Sequence, residues 1–230
     1  MPTDPPHPPD VNSPLALRLK SHFFPFAWPS GSLVLLTWAA MLMLVTQRAE
    51  WTVFIEVSRN LIPRPISPYE YATIPVSLAG ALYFAPKLVD LVVLHTRRRT
   101  ALALAGAWLT VAAASAITFV GLATYPSDGR PPVEELYHLA GNSVTIALTA
   151  WLCVTTLGGG IGSFVFLGSY AVVVWVQATM PEYALLMPLS SGYLSDGTLD
   201  RSFHWPWIFG LALAVHWQIW RRAALPLFNL

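Results

Sequence analysis

Six stretches of this 230-residue chain are apolar runs close to the length of about 20 residues that a helix needs to cross a bilayer. They cover residues 27–46, 71–94, 101–125, 137–157, 161–180 and 204–220. The composition agrees. Hydrophobic residues make up 55% of the chain and charged residues 11%, whereas a soluble domain carries roughly 25% charged residues. A soluble fold with so little charge lacks the polar surface to cover itself. The expected class is an all-α integral membrane protein, a bundle of about six transmembrane helices. The run Gly158, Gly159 and Gly160 marks a tight hinge between the fourth and fifth spans.

Three parts follow from these runs. Residues 1–26 are expected to be a disordered or interfacial cytoplasmic segment. Its first fourteen residues hold six prolines and two aspartates and lack the basic and apolar regions of a cleavable signal. Residues 27–222 form a single transmembrane domain, its first span an uncleaved anchor. Residues 223–230 are a short tail.

Orientation follows from Lys and Arg in the short connections. With the N-terminus inside, Arg18, Lys20, Arg97, Arg98, Arg99, Arg221 and Arg222 are cytoplasmic. Arg48, Arg59, Arg64, Arg130 and Arg201 are outside. Three consecutive arginines in one very short loop are hard to translocate, so both termini are expected on the cytoplasmic side. The localisation implied is a bacterial or archaeal cytoplasmic (inner) membrane, multi-pass. Tryptophans 28, 51, 205, 207, 217 and 220 fall near span ends, as in an aromatic belt. Residues 50–61 are expected to form a short amphipathic helix in the outer interface, with Glu56 and Arg59 paired one turn apart.

Several function classes are excluded at this point. The net charge is +1, so no basic excess exists for nucleic acid. Cys153 is the single cysteine, so no intramolecular disulfide forms, nor any cysteine-built zinc or iron–sulfur centre. No phosphate-cradling glycine loop, nucleophile elbow or zinc-protease helix is present.

The polar residues offer three candidate sites. Glu134, Glu135 and His138 sit at the entrance of the fourth span, and Asp200 and His204 at that of the sixth. Imidazoles and carboxylates at one depth can bind a divalent or copper ion. The plainer reading is helix-end polarity, with acids near N-termini favoured by the helix dipole. The second site is an intramembrane ion pair of Lys87 and Asp90, three residues apart in the second span. Its plainer reading is a structural pair, with Lys87 reaching the cytoplasmic interface. The third is a two-haem arrangement of His138 and His204 near the outer face and His95 and His216 near the inner face. His204 and His216 would then lie about 120° apart around one helix.

In its order of spans and loops, the chain resembles the A subunit of the copper membrane monooxygenases, the particulate methane and ammonia monooxygenase family. The segment Ala49-Glu50-Trp51-Thr52-Val53-Phe54 follows the first span, where that family has an acidic, tryptophan-rich loop. Tyr125-Pro126 closes the third span, similar to a Tyr-Pro there. Residues 181–188 resemble its proline-punctuated outer loop. Most specific is Gly197-Thr198-Leu199-Asp200-Arg201-Ser202-Phe203, which looks like the family's Gly-Thr-Leu-Arg-x-Phe segment with one residue inserted. The chain departs from the family at Met41-Leu42-Met43, where the family's first span ends in histidines. Its first outer loop holds one acid, Glu50, and one tryptophan, Trp51. Those departures argue against copper at that place and mark a divergent member.

The resemblance implies a membrane scaffold subunit of a copper-dependent monooxygenase that oxidises ammonia, methane or another small hydrocarbon with O₂. It further implies copper held mainly by two other membrane subunits, in a hetero-oligomer such as a trimer of heterotrimers. Two other functions remain open from the residues. One is a b-type cytochrome subunit with haem on the four histidines. The other is a non-catalytic assembly subunit or small-solute carrier built around Lys87 and Asp90.

Overall fold

A computed structural model describes residues 29–47, 53–55, 64–84, 96–123, 133–190 and 204–224. Six α-helices dominate: α1 (Pro29–Gln47), α2 (Pro68–Phe84), α3 (Thr96–Ala123), α4 (Val133–Leu157), α5 (Gly159–Thr179) and α6 (Trp205–Ala224). Between α1 and α2 lies a two-stranded antiparallel ribbon, β1 (Val53–Ile55) on β2 (Arg64–Ile66). A 3₁₀ turn, Pro181–Leu186, follows α5.

Among the described residues, three helices, α3, α4 and α5, contain apolar windows long enough to cross a membrane: Thr100–Val120, His138–Leu157 and Gly159–Thr179. The expected N-terminal segment, residues 85–95 of the second span and its loop, and the tail beyond Ala224 lie outside the described residues. The ribbon corrects one expectation. Val53, Phe54 and Ile55 form a strand, not a turn of an interfacial helix. A β-branched and aromatic triplet suits a pleated strand, and it pairs with Ile66, Pro65 and Arg64. Pro65 cannot donate to a ladder, which restricts β2 to an edge. Glu56 and Arg59, the expected helical pair, lie outside the described residues.

α4 is the axis of the bundle. Two thirds of its apolar window (67%) is buried, against 17% for α5. It packs against α2, α3, α5 and α6. Its core side chains Leu148, Trp151 and Val154 meet Ala107 and Val111 of α3 and Val215 and Ile219 of α6. Small residues set the close approaches. A Cβ at Gly80 of α2 would stand 2.6 Å from the Thr110 side chain of α3. The Thr110 hydroxyl donates to the Gly106 carbonyl at 2.9 Å and accepts from Trp151 Nε1 at 3.2 Å. One further bond, 2.8 Å between the hydroxyls of Thr118 and Ser143, joins α3 and α4 nearer their other ends. α3 and α4 are therefore antiparallel.

The glycine hinge is a single residue. α4 ends at Leu157 and α5 starts at Gly159. Gly158 has φ +86 and ψ 168, a conformation essentially reserved for glycine. Just after it, a Cβ at Gly162 would lie 2.5 Å from the Cys153 carbonyl oxygen, so the hairpin closes backbone against backbone.

Candidate functional site

The most polar place in the described core is built around Glu70. Ser67, Pro68 and Glu70 form an ordinary helix start. Ser67 Oγ accepts from the Glu70 N–H at 3.3 Å, Pro68 occupies the first helical position, and Glu70 stands in the first turn. The Glu70 side chain points into the bundle. Arg64 Nη2 donates to Glu70 Oε1 at 2.8 Å, and the two side chains are 2% and 3% exposed. Tyr170 of α5 donates its hydroxyl to the same oxygen at 2.8 Å. Asn142 of α4 donates to Oε2 at 3.2 Å. One carboxylate thus accepts from three donors on β2, α4 and α5.

Depth makes this unusual. Tyr170 is midway along α5 and Asn142 more than two turns inside α4. The ribbon therefore brings a charged arginine down beside the middle of a membrane-length helix. An isolated charge there is costly, and a paired, hydrogen-bonded one is the tolerated form. Burial on its own pulls the Arg64 pKa down, but the Glu70 carboxylate and Tyr170 together outweigh it and leave the pKa above the ordinary arginine value. Arg64 is a fixed cation. Its Nε and Nη1 atoms have no hydrogen-bond partner among the described residues.

A second set of bonds stitches the segment after α5 onto the bundle. Trp207 Nε1 donates to the Leu186 carbonyl at 2.9 Å, and His204 Nδ1 bonds the Met187 carbonyl. A carbonyl only accepts, so His204 carries a proton on Nδ1. Gln177 Nε2 donates to the Leu189 carbonyl. Asn142 closes the series, donating to the Ser190 carbonyl at 3.0 Å and accepting from its N–H at 2.8 Å. Three helix-borne side chains, Trp207, Gln177 and Asn142, together with His204 just before α6, thus satisfy the carbonyls of Leu186, Met187, Leu189 and Ser190. Pro188 and Leu189 roof a cleft of about 140 Å³. Its floor is α4, at Thr145, Ile146 and Thr149.

The expected site residues fall as follows. Glu134, Glu135 and His138 all lie in the first two turns of α4, and His138 is half-buried. His204 is buried and immediately precedes α6, its carbonyl accepting from the Trp207 and Ile208 N–H groups. Asp200 lies outside the described residues, as do Lys87, Asp90 and His95. His216 is three turns into α6. Its Nδ1 bonds the Ala212 carbonyl at 2.7 Å, and its ring lies 5.9 Å from that of Trp108. Among the described residues, no group of three or more His, Cys, Asp or Glu side chains is placed to hold a metal ion.

Sequence reasoning missed the Glu70 cluster. Arg64 counts there as an outer-loop charge, and Glu70 is not singled out. The available signal was Ser67-Pro68-Tyr69-Glu70, a capped helix start that puts Glu70 inside the span. Asn142, Tyr170 and Gln177, polar residues within apolar runs, were a second signal. No protein family, curated protein or solved structure matches this chain.

Proposed function

We propose that this chain is a six-span membrane scaffold subunit of a copper-dependent membrane monooxygenase, with both termini in the cytoplasm. The observation that carries the scaffold reading is the use made of the buried polar side chains. Glu70, Asn142, Tyr170, Gln177 and His204 are all engaged in tying the ribbon and the segment after α5 to the helices. An ion pair so encased holds elements together.

The oxygenase assignment rests on the resemblance in span order and on residues 197–203. Copper belongs to the partner subunits in this reading. The described donors do not form a cluster that fits it, and no step of the oxidation runs through these residues. The chain's contribution is to present a rigid apolar surface on which two companion membrane subunits assemble. Exposed large side chains on α5 and α6, such as Phe164, Trp175, Phe209 and Leu213, supply that surface together with the lipid-facing one.

Mild affinity purification of the chain from its native membrane tests the reading. Two companion membrane subunits and copper are expected in constant ratio to it. Recovery of the chain alone and copper-free would refute the assignment.

A further inference from the structure

We infer that the cleft between α5 and α6 is a seat for one lipid acyl chain. The inference requires only that the chain is membrane-embedded and is independent of the oxygenase assignment. α5 and α6 each pack on α4 without packing closely on each other, which leaves a gap floored by α4. Phe166 and Tyr170 of α5 face Leu211 of α6 across it. Its lining reaches the exterior at Trp207, an exposed side chain on the apolar outer surface that spanning helices turn to hydrocarbon.

The lining selects the occupant. Thr149 donates its hydroxyl to the Thr145 carbonyl at 2.8 Å and Ser169 to the Phe166 carbonyl at 2.8 Å, while the Thr145 hydroxyl, which has no hydrogen-bond partner among the described residues, is fully buried and exposes no surface to the cleft. The Tyr170 hydroxyl is spent on Glu70. The roof carbonyl of Leu189 is occupied by Gln177. The accessible lining is almost wholly apolar, and apolar cavities of about 150 Å³ stay dry and take hydrocarbon guests. A volume of about 140 Å³ admits a methylene chain. It does not admit a helix, which with its side chains is about 10–12 Å across. The Pro188–Leu189 roof closes one end, so the occupant enters sideways, from the bilayer.

Native mass spectrometry of the full chain, released from phosphatidylcholine nanodiscs and stepwise delipidated, tests this. One phospholipid is expected to remain after the others are stripped. Thr149→Phe fills the cleft and is expected to lower that adduct at least tenfold. Phe119→Ala, on the exposed face of α3, leaves it unchanged. If Thr149→Phe does not fold, Ser169→Leu gives the same comparison. Equal lipid retention in wild type and filled variant, or none in either, overturns the inference. A photo-crosslinker placed at Ser169 in native membranes separates the occupants. Adducts to lipid support the seat, and adducts to a protein overturn it.

Discussion

At the scale of single residues, Glu70 is the position on which most depends. It neutralises a fully buried arginine and accepts from Tyr170 and Asn142 at once. Removing one partner of a buried pair typically costs about 3–5 kcal/mol, because the other charge is left uncompensated. Glu70→Ala is therefore expected to lower stability by about that much, read as a drop in the thermal unfolding midpoint of the detergent-solubilised protein. An unchanged midpoint would show that the pair is not formed in the folded protein. Tyr170→Phe removes one hydrogen bond to a charged group, worth about 1.5–3 kcal/mol. Its effect is expected to be smaller than that of Glu70→Ala in the same assay. His204 shows the limit of composition-based reading. Its Nδ1 is bound to the main-chain carbonyl of Met187, a partner 17 residues away that composition does not foretell.

At the scale of elements, the helices were legible and their contacts were not. Apolar runs locate α1 and α3 to α6 as helices, and among the described residues α3, α4 and α5 hold windows long and apolar enough to cross a membrane. The glycine hinge was legible for a similar reason, since Gly158 adopts a backbone conformation that side chains resist. The ribbon was not. Val53, Phe54 and Ile55 fit either a strand or one face of a helix, and only pairing with Arg64–Ile66 decides between them. The partnership of Arg64 with Glu70 was hidden by the same ambiguity, since Arg64 counts as an outside charge from its place between the first and second spans. The α4–α5 hairpin gives an element-scale test. Gly162→Val places a Cβ at 2.5 Å from the Cys153 carbonyl and is expected to force the helices apart, with loss of folded yield. Gly168→Ala, where a Cβ meets nothing within 4 Å, is expected to be neutral or slightly stabilising, since Ala favours a helix by up to about 1 kcal/mol over Gly. Equal yields from the two variants would argue against the close hairpin.

At the scale of the whole molecule, polar side chains are concentrated where the ribbon and the Pro181–Leu186 turn meet the helices, and the helix exteriors are apolar. That distribution suits a subunit whose exterior faces lipid and companion helices and whose interior is a fixed frame. The proposed topology makes a direct expectation. Alkaline phosphatase fused after Ser190 should be active, and the same enzyme fused after Leu230 should be inactive. Activity at Leu230 would reverse the orientation.

The central claim is that the buried charges serve the frame and not the chemistry. Replacing a buried ion pair by apolar residues of similar volume is often neutral or stabilising. The most direct measurement is therefore the triple variant Arg64→Met, Glu70→Leu and Tyr170→Phe, purified with the companion subunits that the proposed function calls for and assayed for copper content and oxidation rate per complex. The scaffold account expects wild-type stoichiometry, wild-type copper and a rate within about twofold of wild type. A complex that assembles and holds its copper but has lost its oxidation rate would contradict it.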